Sequence, residues 1–242
     1  MNLGSALRLK VASFGAESLE KEESSRPSMP HDITLAAGII PVYYPKGGSF
    51  FLEGQPPSGV FLLRSGRAKE FMISSQGKTT IVRVAGPGSL LGLPSVLAGI
   101  YHDSTVETLE PAHAGFIRKA TFLQLLKTSH QLNQMVASQL IRNCREAYES
   151  IRCLDASRSV AERFARLLLQ WADSPLRNQS PGSAGPRIRV ILTHEEIGQF
   201  VGSTRETMCR VVGEFRKKRW ITTKGSTWTI ANVDALRRLA EG

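Results

Sequence analysis

Residues 192–221 read LTHEEIGQFVGSTRETMCRVVGEFRKKRWI, a pattern that predicts two helices joined by a tight turn. Thr193, followed three residues later by Glu196, is the capping-box signature of a helix N-terminus. Gly202 follows the last apolar residue of this helix, where helices commonly end. The apolar face of the first helix consists of Ile197, Phe200 and Val201.

The second helix is predicted to span about residues 204–218. Ser203 and Glu206 repeat the capping signature, and apolar residues then recur at helical spacing. Two short helices joined by a glycine-containing turn form a helix-turn-helix, whose second helix enters the major groove of DNA. Its predicted buried face consists of Met208, Val211, Val212 and Phe215.

Three charged residues, Arg205, Glu206 and Arg210, lie near the start of the second helix and away from its apolar face. In a helix-turn-helix the N-terminal residues of the second helix contact base edges. Arginine binds O6 and N7 of guanine, and glutamate accepts a hydrogen bond from N4 of cytosine. We therefore predict that these three residues read DNA bases.

Hydroxyl side chains near helix N-termini hold phosphates together with backbone N–H groups. Residues 221–223 and 227–230 predict a short hairpin, or wing, with a basic tip, and Asn232 predicts the cap of a last helix over 233–240. The predicted phosphate-positioning residues are Thr193, Ser203, Thr204, Thr207 and Lys224.

The net charge of +10 is concentrated around this motif. Residues 1–155 contain 16 Lys and Arg against 13 Asp and Glu, whereas residues 156–242 contain 15 against 8. A basic C-terminal third is the electrostatic pattern of a polyanion-binding domain. The charge distribution therefore agrees with double-stranded DNA as the partner.

Upstream, residues 39–117 have the composition of a β-domain. Ten of the 21 glycines lie between Gly47 and Gly99 and separate short runs rich in Val, Ile, Phe and Thr. Regularly spaced short strands indicate a sandwich or a barrel. The predicted strands include residues 58–65, 67–74 and 78–85.

Glycine becomes rare from Thr121 onward, and a long helix is predicted. Its apolar residues recur at spacings of three and four, which is typical of helix pairing, most simply with a second copy of the chain. The alternative is packing on the chain's own β-domain. After Asp155 a further helix is predicted over 157–171, followed by a Pro-, Gly- and Ser-rich loop at 174–186. The predicted pairing seam consists of Ala137, Leu140, Cys144, Ala147, Ile151 and Leu154.

The chain is thus predicted to be α+β, with four segments. Residues 1–30 form a flexible arm, because residues 17–30 are rich in Ser, Glu and Pro and have little to bury. The other segments are the β-domain at 31–127, the dimerisation helix at 128–154 and the winged helix-turn-helix at 155–242.

The C-terminal motif resembles the DNA-binding domain of the Crp/Fnr (cyclic-AMP receptor protein / fumarate-nitrate regulator) family. The resemblance implies a β-roll (a double-stranded β-helix of the cyclic-nucleotide-binding type), a dimerisation helix within residues 137–154 and a winged helix-turn-helix. It also implies a homodimeric transcription regulator that binds palindromic DNA with half-sites similar to TGTGA and contacts RNA polymerase. The matching residues are Glu196-Ile197-Gly198-Gln199, Val201-Gly202 and Arg205-Glu206-Thr207 with Arg210.

The same resemblance bears on the effector. In this family the β-roll often binds a cyclic nucleotide, whose phosphate is held by a Gly-Glu pair and, about ten residues later, by Arg-Ser or Arg-Thr. Here Leu93 stands in place of the Glu, and Asp103 precedes Ser104 in place of the Arg; Cys144 and Arg145 replace a Thr-Ser pair on the dimerisation helix. A carboxylate beside a phosphate is repulsive. We therefore expect no cyclic-nucleotide dependence of the usual kind, with a cyclic-nucleotide-responsive regulator as the alternative.

The sequence offers few candidate residues for sensing other effectors, and it identifies no cofactor. An iron–sulfur cluster needs several cysteines near the N-terminus, and none precedes Cys144. His102 and His113 are candidate haem ligands, although a single histidine in a β-domain is more often structural. Cys144 is either a thiol-redox sensor or a small buried apolar residue. The effector stays unidentified at this point.

Several other protein classes lack support. No apolar run reaches the roughly 18–20 residues of a membrane-spanning helix, no secretory signal is visible, and three cysteines are too few for a disulfide framework. Metalloprotease, α/β-hydrolase, P-loop and Rossmann motifs are absent. His194-Glu195-Glu196 lies in the first turn of a helix, where acids favour the dipole. We therefore predict a cytoplasmic protein that is not an enzyme, with an enzyme as the remote alternative.

Overall fold

The computed structural model describes residues 38–154, 158–172, 177–178 and 185–241, with 177–178 described by their backbone. The arm predicted at 1–30, the junction at Asp155 and most of the loop predicted at 174–186 lie outside these residues. No helix in the described ranges is long and apolar enough to cross a membrane.

Eight strands form the N-terminal domain as two four-stranded antiparallel sheets. The strands are β1 (Ile40–Tyr44), β2 (Ser49–Phe51), β3 (Gly59–Ser65), β4 (Ala68–Ile73), β5 (Thr79–Ala85), β6 (Leu90–Leu91), β7 (Thr105–Thr108) and β8 (Ala112–Arg118). One sheet has the order β1-β8-β3-β6 and the other β2-β7-β4-β5. The β-roll prediction is confirmed, and the three strands predicted at 58–65, 67–74 and 78–85 agree with β3, β4 and β5 within a residue.

Close packing of β3 on β8 requires glycine at one position. A Cβ on Gly59 would approach the carbonyl oxygen of Ile117 to 2.1 Å. A short helix between β6 and β7 in the chain, α1 (Leu93–Ala98), was not predicted from the sequence. It follows Gly92, whose φ of 75° lies in the left-handed region, and it buries Leu93 and Val96.

Two helices, α2 (Lys119–Thr128) and α3 (His130–Cys153), follow the β-roll, and the next helix, α4 (Val160–Ala172), packs in the core of the C-terminal domain. Ser129 caps α3 by accepting the N–H of Leu132 at 3.2 Å. With 24 residues, α3 is about 36 Å long. Leu132 and Val136 pack into the β-roll core, and Ser150 Oγ donates a hydrogen bond to the carbonyl oxygen of Val82 on β5. The long helix is therefore attached to the roll at both of its ends.

The C-terminal domain is a winged helix-turn-helix, as predicted. Its elements are β9 (Arg177–Asn178), β10 (Arg187–Arg189), α5 (His194–Val201), α6 (Arg205–Lys217), β11 (Ile221–Lys224), β12 (Thr227–Ile230) and α7 (Val233–Glu241). Its sheet has the order β11-β12-β10-β9. Strand β9 falls inside the predicted loop, because two residues carry too little pattern to predict a strand. Asn232 Oδ1 accepts the N–H of Ala235 at 2.9 Å, which confirms the predicted cap of α7.

An aromatic group holds this domain together. The ring of Phe164 on α4 lies 5.3 Å from that of Phe215 on α6 and 6.3 Å from that of Trp228 on β12. All three side chains are buried. Helix α6 is therefore fixed on one side by the core, which leaves its other side facing outward.

Candidate nucleic-acid interface

The N-terminus of α5 is a complete capping box. Thr193 Oγ1 accepts the N–H of Glu196 at 3.2 Å, and Glu196 Oε2 accepts the N–H of Thr193 at 2.8 Å. The box predicted from the sequence is confirmed. It fixes the first turn of the helix-turn-helix.

The turn between α5 and α6 depends on two glycines. Gly202 has φ of 63°, and the N–H of Ser203 donates back to the carbonyl oxygen of Gly198 at 2.8 Å. A Cβ on Gly198 would lie 2.7 Å from the carbonyl oxygen of Ser203. Position 198 therefore tolerates no side chain without moving the turn.

The N-cap of α6 is Thr204, and the cap predicted at Ser203 is wrong by one residue. Thr204 Oγ1 accepts the N–H of Thr207 at 3.3 Å. The capping box predicted at Ser203 needs the backbone N–H of Ser203 as a donor to Glu206. That N–H is already bonded to Gly198 in the turn, and the helix begins one residue later than predicted.

Arg205, Glu206 and Arg210 are exposed together at the N-terminal end of α6. The opposite face of the helix is buried, as predicted. Hydrogen bonds from its own backbone N–H and, next, from Thr204 hold the pKa of Glu206 below its ordinary value. The Glu206 carboxylate is therefore a charged acceptor at neutral pH. The buried residues are Met208, Val211, Val212 and Phe215.

A histidine–cysteine contact that the sequence analysis missed lies beside this exposed group. His194 Nδ1 on α5 is 3.1 Å from Cys209 Sγ on α6. Cys209 is exposed and adjoins Arg210 in the helix. Their juxtaposition depends on the crossing of α5 and α6, and no spacing in the sequence reveals it.

The five predicted phosphate-positioning residues lie at the helix starts and the wing tip. Thr193, Thr204 and Lys224 are exposed, whereas Ser203 and Thr207 are half-buried. The structure adds an exposed basic run, 216–219, at the end of α6 and just beyond it. In this run the ammonium of Lys218 lies 4.6 Å from the centre of the Trp220 ring.

A polar cluster lies where the β-roll meets helix α3. Arg83 is 8% exposed, and its Nε donates to Glu70 Oε2 at 2.6 Å. Ser104 Oγ donates to the other Glu70 oxygen at 2.7 Å, and Glu146 Oε2 on α3 lies 3.8 Å from Arg83 Nη1. Burial raises the pKa of Glu146, against a smaller lowering by Arg83. Apart from Ser104, the sequence analysis missed this cluster because its members come from four separate parts of the chain.

In the part of the chain that the structure describes, the five predicted effector residues differ in their surroundings. Leu93 is fully buried in the apolar core, and Ser104 is bonded to Glu70. Asp103, Cys144 and Arg145 are exposed. The exposure of Cys144 also differs from the buried position that the sequence left open for it.

The two histidines considered as haem ligands have different environments. His102 is 4% exposed and stacks on Phe51 with 3.8 Å between ring centres, and burial lowers its pKa. His113 is exposed on β8, with its ring 5.1 Å from that of Tyr43. Within the described ranges, no group of three or more His, Cys, Asp or Glu side chains is placed to hold a metal ion.

Comparisons with known proteins cover both domains. A model of the cyclic nucleotide-binding domain matches residues 41–129, and a model of the Crp-like helix-turn-helix domain matches residues 162–239. A CRP-like cAMP-activated global transcriptional regulator of Mycobacterium tuberculosis is 26% identical over 206 residues, covering 85% of this chain and 90% of the relative. The fumarate and nitrate reduction regulatory protein of Escherichia coli K12 is 28% identical over 212 residues, covering 87% and 83%. The chain belongs to the Crp/Fnr family.

Solved structures have the same fold as this Crp/Fnr chain at lower sequence identity. FixK2 from Bradyrhizobium japonicum has a TM-score of 0.72 and 20% identity, covering 83% of this chain and 96% of that one. A CooA mutant from Carboxydothermus hydrogenoformans has a TM-score of 0.70 and 18% identity, covering 96% and 98%. The chain thus has a Crp/Fnr-type transcription-regulator fold with a DNA-binding helix-turn-helix.

The outward face of α3 in this Crp/Fnr chain carries an exposed apolar strip. Its residues recur at spacings of four and three, and the face overlaps the predicted seam at Ala137, Cys144 and Ile151. Leu140 instead packs on the β-roll core, and Leu154 lies beside Gly202 of the turn between α5 and α6. The strip consists of Ala137, Ile141, Cys144, Tyr148 and Ile151.

Proposed function

We propose that this chain is a homodimeric transcription regulator that reads a palindromic DNA site with Arg205, Glu206 and Arg210. One observation carries the proposal: three charged side chains are exposed together at the N-terminal end of α6, while the opposite face of that helix is buried. This end of a helix-turn-helix second helix is the part that meets base edges.

The chemistry of the three side chains suits guanine- and cytosine-containing half-sites. Each arginine can donate two parallel hydrogen bonds to O6 and N7 of a guanine, and ionised Glu206 can accept one from N4 of a cytosine. A half-site similar to TGTGA, and its complementary strand, offers both bases. The negative charge of Glu206 adds specificity, because its carboxylate repels phosphates and binds favourably only where a base offers a hydrogen-bond donor.

Phosphate contacts are proposed for the residues at the edges of this surface. Thr193 and Thr204 begin α5 and α6, where backbone N–H groups point outward, and Lys224 lies at the wing tip. Ser203 and Thr207 add hydroxyl groups beside them. Such contacts position the protein on the duplex without reading sequence, and they weaken as salt concentration rises.

Dimerisation is proposed through the exposed strip of α3. An apolar strip at spacings of three and four is the pattern by which two helices pair. Two copies related by a two-fold axis would present two α6 helices to half-sites about 34 Å apart. Contact with RNA polymerase and action in the cytoplasm are proposed with this function, and no catalytic role is proposed.

Control by a cyclic nucleotide in the usual manner is not part of the proposal. Leu93 belongs to the apolar core, Asp103 brings a carboxylate, and Arg83 is already paired with Glu70. A thiol-redox response is a second candidate, supported by the exposure of Cys144 within the strip of α3. Cys153 does not support it, because this thiol is buried and burial raises its pKa to about 11.

Selection of binding sites from random double-stranded DNA tests the proposed function. The purified chain is expected to enrich a two-fold symmetric sequence with half-sites about one helical turn apart. Repeating the selection with added oxidant, cyclic AMP or cyclic GMP examines effector dependence. Enrichment of no sequence under any of these conditions would contradict the proposal.

A further inference from the structure

The DNA-binding domain packs directly on the outer face of the β4–β5 hairpin of the β-roll. Ile81 on β5 is fully buried in the same apolar cluster as Ile197 of α5, and Phe71 on β4 and Val84 on β5 pack against that cluster. The helix-turn-helix therefore shares its core with the β-roll.

Lys69 on β4 forms an ion pair with Glu196 in the first turn of α5. Its Nζ lies 2.8 Å from Glu196 Oε1 and 3.0 Å from Glu107 Oε1. The side chains of Lys69 and Glu196 are only 15% and 16% exposed. Since Glu196 Oε2 completes the capping box with Thr193, one carboxylate joins the β-roll to the first turn of the helix-turn-helix.

The surroundings of Lys69 and Glu196 favour the ionised form of both side chains. Burial is the largest single influence on Lys69 and lowers its pKa, yet the hydrogen bonds to Glu196 and Glu107 and the attraction of their charges together raise that pKa above its ordinary value. Burial alone would raise the pKa of Glu196, yet the bonds from Lys69 and Thr193 lower it. Both groups are therefore charged at neutral pH.

A second ion pair joins the same two domains. Arg189 Nη2 on β10 is 2.8 Å from Glu110 Oε2, which follows β7 in the roll. Arg67, just before β4, also donates from Nη1 to the carbonyl oxygen of Arg189 at 3.4 Å. The domain contact thus combines a buried apolar cluster with two ion pairs between the domains.

We propose that these two ion pairs clamp the helix-turn-helix to the β-roll and so fix the distance between the two recognition surfaces of the dimer, with Lys69 as a positioning residue for DNA binding. The proposal rests on the proposed function. Arg205, Glu206 and Arg210 are exposed while the clamp is closed, so the clamped arrangement leaves them free for DNA.

The clamp acts through a continuous set of contacts. Helix α3, which carries the dimer strip, is bonded to β5 through Ser150 and Val82. The hairpin β4–β5 is in turn bonded to α5 through Lys69 and Glu196. Fixing each link lowers the entropy lost when both half-sites are bound at once, which is the general benefit of preorganisation.

The test measures DNA affinity as a function of half-site spacing. The DNA is the palindrome obtained by selection, together with versions whose spacer is one or two base pairs longer or shorter. Each added base pair rotates one half-site by about 35° relative to the other. The proteins are wild type, Lys69→Met and the matched control Lys78→Met, which removes an exposed lysine near the tip of the same hairpin.

Wild type and Lys78→Met are expected to bind the original spacer with about tenfold or more higher affinity than the other spacers. Lys69→Met is expected to lose about tenfold in affinity for the original spacer and to bind all spacers with nearly equal affinity. Glu110→Arg and Arg189→Glu are expected to flatten the profile singly and to restore it together. The side chains of Glu110 and Arg189 are partly exposed, and these charge-reversal variants therefore test the clamp even if Lys69→Met unfolds below the assay temperature.

An unchanged spacing profile in Lys69→Met, or no restoration by the Glu110→Arg/Arg189→Glu double variant, would overturn the clamp. The profile is the informative readout, because a loss of stability alone lowers affinity for every spacer equally. If the wild-type protein binds no palindrome at any spacing, both the proposed function and the clamp are wrong. If wild type binds but Lys69→Met has the wild-type spacing profile, only the clamp is wrong.

Discussion

Arg83 and Arg205 illustrate two uses of the same side chain in this molecule. Arg205 is exposed at the start of α6 and belongs to a local motif, so its role could be predicted from neighbouring residues. Arg83 lies where the β-roll meets helix α3; β-sheet register places it opposite Glu70, and the packing of the helix brings Glu146 near. Those partners are distant in sequence, and no local pattern reveals them.

Glu146 gives a pH-dependent prediction at this scale. Because burial raises its pKa in the folded state, the folded chain binds this proton more tightly than the unfolded chain. Its contribution to the free energy of unfolding therefore falls as pH rises from the unfolded pKa of about 4.3 through the raised folded value. Glu146→Gln is expected to be more stable than wild type at pH 7, by less than about 1 kcal/mol because the side chain is 37% exposed.

Urea denaturation at pH 7 and near pH 4 measures this difference, which should vanish at the lower pH. Glu149→Gln is the matched control, since Glu149 is on the same helix, is also 37% exposed and pairs with Arg152. Lower stability of Glu146→Gln at pH 7 would show that the Arg83 ion pair outweighs burial.

Among the elements, those with strong local signals were predicted and those with weak ones were not. The capping box, the glycine turn and the apolar spacing of α5 and α6 lie within thirty consecutive residues, and both helices were found. Strands β9 and β10 are two and three residues long, and α1 has six residues, so none repeats a pattern.

Helix α3 shows why its exposed face was only partly predicted. Spacings of three and four fit two overlapping sets, one with Leu140 and Leu154 and the other with Ile141 and Tyr148. Which set faces outward depends on where the β-roll and the turn between α5 and α6 pack. Since these contacts are distant in sequence, spacing alone could not choose between the two sets.

The turn between α5 and α6 supports a paired glycine prediction. Gly198→Ala is expected to lower the free energy of unfolding by about 1–3 kcal/mol, because its Cβ would lie 2.7 Å from the carbonyl oxygen of Ser203. Gly213→Ala, in the exposed middle of α6 with no atom within 4 Å of the new Cβ, should raise it by about 0.5–1 kcal/mol. Urea denaturation of both variants is the measurement, and equal effects would contradict the close approach at Gly198.

For the molecule as a whole, the two domains are joined into one structure by a shared core and charged contacts. Composition and periodicity predicted an all-β domain, the long helix and the helix-turn-helix with its wing, and the resemblance to the Crp/Fnr family implied that the β-domain is a β-roll. The sequence did not predict that Ile81 of the roll is buried against the DNA-binding domain, or that Lys69 bonds Glu196. Such contacts arise when finished elements pack, and they determine how the surface that reads DNA is presented.

The most direct measurement is a base-by-base affinity profile on the selected palindrome. Dissociation constants are measured by fluorescence anisotropy for wild type, Arg205→Ala, Glu206→Ala and Arg210→Ala at every single-base substitution of the half-site, at one salt concentration. The control is Arg118→Ala, which removes an exposed arginine of the β-roll. Each of the three variants is expected to lose about 1–3 kcal/mol of discrimination at its own base position. Arg118→Ala should keep the wild-type profile. Full wild-type discrimination at every position in all three variants would contradict base reading by α6.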